Sequence, residues 1–333
     1  MIFLKNKNLQ TYDIDGYLLR GKSFYNSIVE YRSKILRKFK YRIQSKKEHN
    51  CLLCRSNKTK LLLKWKSDYS IFQCLQCGAS SPNIKLEKRD NHTTSVYENE
   101  TYNEKFIREI HNQFKYRKET FGQERYFYAK KFIPKKKNPY ILDLGCGAGY
   151  FLSVLKDRKI KSKGLEVSSH LVSYCKRNGL NVSSSNIELE RDSSFDLITM
   201  YDVLEHLENP IEVMSSINKK LKKNGICIAY TPNIESLAFE LMGSNQNTLL
   251  PFEHVCFYNP KSLNFLATKS GFDVISIETR GLDLLDYFFW KEYQYNDTYI
   301  DKFNDLIKIG QAIIDNQSAS NHFRIVFRKK AIK

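Results

Sequence analysis

One loop restricts what this chain can fold into more than any other feature. In Asp143-Leu-Gly-Cys-Gly-Ala-Gly149, three glycines alternate with other residues. They lie directly after a strand-like run, Tyr140–Leu144, and directly before a helix-like run, Tyr150–Asp157. Glycine removes the side chain where a backbone must turn tightly and approach a ligand. Gly145, Gly147 and Gly149 therefore mark a strand–loop–helix turn with a binding surface at the carboxyl end of the strand. The GxGxG spacing differs from the dinucleotide GxGxxG. A second strand-like run ends on Glu166, 21 residues after Gly145, where a carboxylate can accept both hydroxyls of a ribose. A purely structural turn followed by a coincidental glutamate is the competing explanation.

The rest of the chain agrees with an α/β reading. Strands are expected at Tyr140–Leu144, Lys161–Glu166, Phe195–Tyr201, Ile226–Thr231, Phe272–Glu278 and Phe323–Phe327. Helices are expected at Tyr150–Asp157, His170–Arg177, Pro210–Lys222, Ile234–Met242 and Lys261–Ser270. Short apolar strands alternating with helices predict βαβ units and a mainly parallel sheet covered on both faces. A segment rich in Tyr, Phe and Asp, about 284–320, interrupts the last two strands. If those strands pair as an antiparallel hairpin, it forms a helical lobe at the sheet end. Its aromatics, Tyr287, Phe288, Phe289, Trp290, Tyr293 and Tyr295, suit either an acceptor pocket or the core of that lobe. The division expected is a basic segment at 1–50, a cysteine region at 51–90, a polar link with a leading helix at 91–139 that ends before Pro134, and a catalytic domain at 140–333.

Cys51-x2-Cys54 and Cys74-x2-Cys77, with nineteen residues between the pairs, have zinc-ribbon spacing. Two such knuckles offer four thiolates to a tetrahedral ion, leaving no vacant position, so the zinc would be structural. It would supply folding energy to a region too small for its own core. The net charge of +18 is unevenly spread: residues 1–90 carry 20 Lys and Arg against 7 Asp and Glu, the remainder 34 against 29. Phe24, Ile28, Tyr31, Ile35, Phe39 and Ile43 fall three to four apart among basic residues, predicting an amphipathic helix. It either packs on its own protein or docks at a membrane surface. No apolar run approaches the roughly 18 residues of a membrane span, and the apolar start at Met1–Leu4 is too short for a secretory signal. A cytoplasmic location is the default expectation.

Taken with the glycine loop, Gly164-Leu-Glu-Val-Ser168, Phe195-Asp-Leu-Ile-Thr-Met-Tyr-Asp-Val-Leu-Glu-His206, Thr231-Pro-Asn233, Glu253-His-Val-Cys-Phe-Tyr258 and Gly271-Phe272 make the sequence resemble the class I S-adenosylmethionine-dependent methyltransferases. Within them it is similar to the ubiquinone-biosynthesis O-methyltransferases and to zinc-ribbon-bearing relatives in bacterial sugar and polysaccharide pathways. The resemblance implies a Rossmann-like seven-stranded, mainly parallel sheet with helices on both faces, plus a small zinc ribbon. It implies that Asp143 and the glycines border the methionine moiety and that Glu166 takes the ribose. Asn186 and Ile187 would meet the adenine, although an acid is common where Asn186 stands. Tyr201 would wall the sulfonium and Arg125 would meet the cofactor carboxylate, unless it is simply a solvent-exposed arginine.

For an oxygen acceptor a general base is needed, and His254 and His206 are the candidates. Asp202, Glu205 and His206 fall within one helical turn and could hold a divalent ion such as magnesium, as the same resemblance suggests; structural capping is the favoured alternative. Methyl transfer to a small molecule or glycan leads the functional expectations, at a hydroxyl of a sugar, nucleotide sugar or polysaccharide precursor. An RNA methyltransferase gripping nucleic acid through its basic ribbon region is the second, although no RNP-like sequence is visible. A non-catalytic scaffold is the third, and the intact glycines and Glu166 speak against it.

Overall fold

The computed structural model describes residues 14–46, 49–65, 68–86 and 104–331, with the backbone alone at 104–109. Residues 1–13 and most of the expected polar link lie outside the described residues. Two helices open the chain, α1 (Gly16–Arg20) and α2 (Phe24–Lys38). The cysteine region follows as an antiparallel three-stranded sheet, β1 (Thr59–Lys64), β2 (Ser70–Cys74) and β3 (Ser80–Pro82). The leading helix is α3 (Glu104–Arg117), a π-helical turn at Lys118–Gly122, then α4 (Gln123–Ala129). Gly122 closes that turn against the next helix, where a Cβ would come within 2.9 Å of the Tyr150 carbonyl oxygen.

The remainder of the chain runs β4 (Tyr140–Leu144), α5 (Tyr150–Asp157), β5 (Lys161–Leu165), α6 (Ser169–Arg177), β6 (Val182–Ser183), β7 (Phe195–Tyr201), α7 (Pro210–Lys220), β8 (Leu221–Pro232), α8 (Leu237–Met242), α9 (Pro260–Lys269), β9 (Phe272–Thr279), α10 (Asp283–Tyr295), α11 (Asn304–Asn316) and β10 (His322–Lys329). The strands form one seven-stranded sheet in the order β6-β5-β4-β7-β8-β10-β9. Pairing is parallel from β6 to β8, and only β10 runs antiparallel to its neighbours. This is the Rossmann-like, mainly parallel sheet that the sequence pattern predicts. Every residue of the central strand β7 is buried, as expected for a strand covered on both faces. The two-residue β6 escaped the pattern because so short a strand has no periodicity to read. α9 starts on a capping box in which the Asn259 side chain accepts from Ser262 N–H and the Ser262 hydroxyl accepts from Asn259 N–H.

Between β9 and β10, α10 and α11 form the expected helical lobe. Phe289 is its anchor, buried and edge-on to Tyr17 (5.8 Å) and Phe24 (5.6 Å). The basic N-terminal helix packs on its own protein: α2 buries Tyr25, Arg32, Ile35 and Leu36, and the Arg32 guanidinium donates to the Gln246 carbonyl. The ribbon is not a loose appendage either. Ser80 and Phe257 exchange backbone hydrogen bonds of 2.9 and 2.7 Å, and Leu52, Leu53 and Ile71 share one core with Val255, Phe257 and Leu263. Among the described residues no helix is long and apolar enough to cross a membrane.

Candidate functional site

The glycine loop is tied down at the carboxyl edge of the sheet. The N–H groups of Gly145 and Cys146 both donate to the Leu165 carbonyl at the end of β5 (2.8 and 3.1 Å). Gly145 has φ +68°, and a Cβ there would strike Val203 at 2.4 Å, so glycine is required twice over. Gly147 also has positive φ (+53°), yet a Cβ on it would meet nothing within 4 Å. Open space therefore stands over the middle of the loop, a cradle into which a ligand fits. Glu166, just beyond β5, borders it: Oε2 accepts from Gly147 N–H and Oε1 from Ser168 N–H, both at 2.9 Å. With about four acceptor sites, a carboxylate held this way still keeps room for a ligand hydroxyl. Burial pushes the Glu166 carboxyl up from its usual range, while those two N–H donors oppose the shift.

Asp143, next to last in β4, is 2% exposed and accepts from the Thr199 hydroxyl at 2.7 Å. Burial pushes its carboxyl up to about 7, with the Thr199 hydrogen bond and the Arg125 charge pulling the other way. Tyr201 is buried between Phe151 and Tyr230, edge-on to both, and the Arg125 guanidinium lies 4.4 Å from its ring centre. Arg125 is not a free surface arginine: it pairs with Asp202 at 3.0 Å. Beyond β6, Asn186 precedes a 3-10 turn at Ile187–Leu189, and the Ile187 side chain is packed in the core.

Next to this edge lies a cavity of about 940 Å³. Its walls come from α1, from the α3–α4 helix and from the strand ends of β7, β8, β10 and β9. Asp202 opens onto it from a left-handed conformation (φ +59°), held by its own N–H to the Tyr230 carbonyl (3.1 Å). One Asp202 oxygen meets Arg125, and the other faces His322 Nε2 at 3.5 Å. His322 Nδ1–H donates to Asn321 Oδ1 at 2.9 Å. Sequence reasoning passed over His322 because it lies 120 residues after Asp202, and only the antiparallel return of β10 beside β8 brings them together. The lobe aromatics from Tyr287 to Tyr295 are not among the cavity walls and serve the lobe.

Residues 114–277 match the family model described as a methyltransferase domain. Over these residues, just under half of its length, the chain carries a methyltransferase domain. It is 25% identical over 155 residues to the ubiquinone biosynthesis O-methyltransferase of Methylococcus capsulatus, covering 42% of this chain and 65% of that protein. It is 30% identical over 129 residues to the protein of the same name from Rickettsia bellii, covering 37% and 51%. The chain thus spans between half and two thirds of the length of these relatives. A crystal structure of an S-adenosylmethionine-dependent methyltransferase from Archaeoglobus fulgidus aligns with a TM-score of 0.48 at 22% identity, over 68% of this chain and all of that one.

Elsewhere in the methyltransferase domain, His206 and His254 meet edge-on, with ring centres 4.6 Å apart. Both are buried and neither is among the cavity walls. Their Nδ1–H groups donate to the Glu253 and Thr248 carbonyls (3.0 and 2.5 Å). Burial lowers the His206 pKa to about 4 and holds His254 well below the ordinary value, so both rings are neutral at pH 7. Glu205 joins them, accepting from the Thr231 hydroxyl at 2.9 Å, and the three offer ligand atoms within 4.8 Å of one another. Asp202, expected in this cluster, is instead committed to Arg125 and His322 at the cavity. Two imidazoles and one carboxylate do not make the all-oxygen shell that magnesium prefers.

The four ribbon cysteines do converge, with Cys51 Sγ 3.5 Å from Cys77 Sγ and Cys54 Sγ 3.4 Å from Cys74 Sγ. All four sulfurs lie within 4.8 Å of one another. The Cys77 hydrogen bond holds the Cys51 thiol down, to about 5, while that same contact and burial push Cys77 up. The donor set fits a structural zinc.

Proposed function

We propose that the chain transfers a methyl group from S-adenosylmethionine to a hydroxyl oxygen of a small-molecule or glycan acceptor. The observation that carries this is the cavity at the carboxyl edge of the sheet, with Asp202 and His322 together on its wall. The similarity to ubiquinone biosynthesis O-methyltransferases favours an oxygen acceptor. The sulfonium of the cofactor makes its methyl group electrophilic, so the residues chiefly align the acceptor and manage its proton. The cradle over Gly147 and the Glu166 carboxylate would hold the cofactor, with Asp143 and Arg125 at its methionine end and the 186–187 backbone towards its adenine.

His322 is the group placed to take the acceptor proton, in preference to the enclosed His254 and His206. With Nδ1–H committed to Asn321, Nε2 is the basic atom. Burial lowers the pKa of the ring, keeping it neutral at pH 7, and the Asp202 carboxylate stabilises the imidazolium once the proton arrives.

Incubating the chain with labelled S-adenosylmethionine and nucleotide sugars, glycan precursors, quinols and RNA tests this proposal. Label is expected in a small hydroxylated acceptor; label in RNA alone overturns it. Glu166→Ala is expected to weaken S-adenosylhomocysteine binding by about 1–3 kcal/mol, the scale of charge-assisted hydrogen bonds. Unchanged affinity in a calorimetric titration would remove Glu166 from the cofactor site.

A further inference from the structure

We infer that the acceptor is anionic and carries a phosphate or diphosphate, bound by the Arg280 and Arg324 end of the cavity while its reacting hydroxyl faces His322. This rests on the methyl-transfer proposal and adds the chemical class of the substrate. Six cationic side chains line the cavity against four carboxylates. Four of these cations fall into two like-charged pairs. Arg20 and Arg117 stand on the helical wall, and Arg280 and Arg324 stand at the β9–β10 end.

The cations lie close enough to disfavour one another. Burial lowers Arg20 to about 9, with the neighbouring Arg117 charge adding to it. Burial lowers Arg280 to about 10, and Arg324 pushes the same way. Arg20 pairs with buried Asp286, Arg324 with the cavity-wall Glu124 at 2.5 Å, and Arg280 with Asp315 at 3.8 Å. Like charges held together at low dielectric are costly, and an anion entering the cavity relieves that cost. Paired guanidinium groups suit phosphate oxygens through their fork geometry.

Position separates this anion from the carboxylate of the cofactor. β10 is three strands from β4, whose end carries the glycine loop, a displacement of about 14 Å at roughly 4.8 Å per strand. Arg324 follows His322 by two residues on the same strand and so faces the same side, about 7 Å along. An acceptor could therefore reach the base and the cations at once. The Arg324 guanidinium also lies 5.3 and 5.0 Å from the ring centres of Tyr128 and Tyr230, so planar groups border the anion site.

The test is calorimetry on the full chain with S-adenosylhomocysteine bound, using inorganic pyrophosphate, glucose 1-phosphate and uncharged methyl glucoside as probes. Pyrophosphate and glucose 1-phosphate are expected to bind saturably, and methyl glucoside not to bind. Arg280→Gln is expected to weaken pyrophosphate at least tenfold, on the order of losing a charged contact. Arg280→Lys should recover part of it, with S-adenosylhomocysteine affinity and the melting curve unchanged in both variants. Equal pyrophosphate affinity in wild type and Arg280→Gln overturns the proposal. Competition between pyrophosphate and S-adenosylhomocysteine overturns it as well, by placing the anion in the cofactor site, and so does binding of a single-stranded RNA oligomer alone. A wild-type chain that binds S-adenosylhomocysteine but not pyrophosphate defeats only the anionic acceptor; failure of the wild-type chain to bind S-adenosylhomocysteine defeats methyl transfer itself.

Discussion

Replacing Cys77 by serine, or stripping the wild-type chain with a strong chelator, is expected to abolish stoichiometric zinc and lower the melting temperature by about 10 °C or more. A structural zinc site in isolated finger peptides contributes roughly 10–16 kcal/mol of apparent binding energy, which is also folding energy. A third of that, at about 2–4 °C per kcal/mol for a domain of 150–250 residues, gives a drop of this size. The loss should not stay in the ribbon. Cys51, Cys74 and Cys77 are each at most 2% exposed, and the residues between them share a core with Val255–Tyr258 of the methyltransferase domain. The Ser80–Phe257 ladder and the tight approach of Gly78 to Asn259 join the ribbon to the start of α9. Metal analysis beside a thermal melt checks both halves. A chain purified without zinc, or a Cys77→Ser variant melting with the wild type, would show that the four thiols hold no structural ion.

What the sequence could disclose was local. The glycine loop, the Glu166 spacing and the CxxC pairs each lie within one short stretch of chain, and the structure keeps them together. The antiparallel hairpin of β9 and β10 with a helical lobe between them was likewise readable, because apolar runs flank a segment of different composition. Relations between distant segments were not. His254 falls in the expected carboxyl-edge segment, but whether its ring faces a cavity or His206 depends on packing against the 204–206 turn. Arg125 reads as a lone helix arginine until Tyr201 and Asp202 arrive beneath it. The shared core of ribbon and catalytic region was equally hidden: Leu52 and Phe257 are apolar in sequence without disclosing that they meet.

The largest catalytic effect is expected at His322. His322→Ala should lower kcat by about 10²–10⁴, the usual contribution of a positioned general base, with S-adenosylhomocysteine affinity unchanged. The pH profile separates this from a structural role. Burial holds the His322 pKa below its ordinary 6.5, and the neutral ring is the active form, so the wild-type rate should fall on the acid side at a pH below 6.5 and level off above it. Asp202 acts in the opposite sense to burial, its negative charge raising that pKa. Asp202→Asn removes the charge, so the acid limb must move to still lower pH. The same substitution withdraws the group that stabilises the imidazolium, so the plateau rate should drop about tenfold, the equivalent of roughly 1.4 kcal/mol. Loss of the Arg125 partner alone predicts a lower rate without the displaced limb. An acid limb that stays in place or moves upward in Asp202→Asn, or a His322→Ala variant keeping most of its kcat, would take the proton-accepting role away from His322 and return it to the enclosed His206–His254 pair.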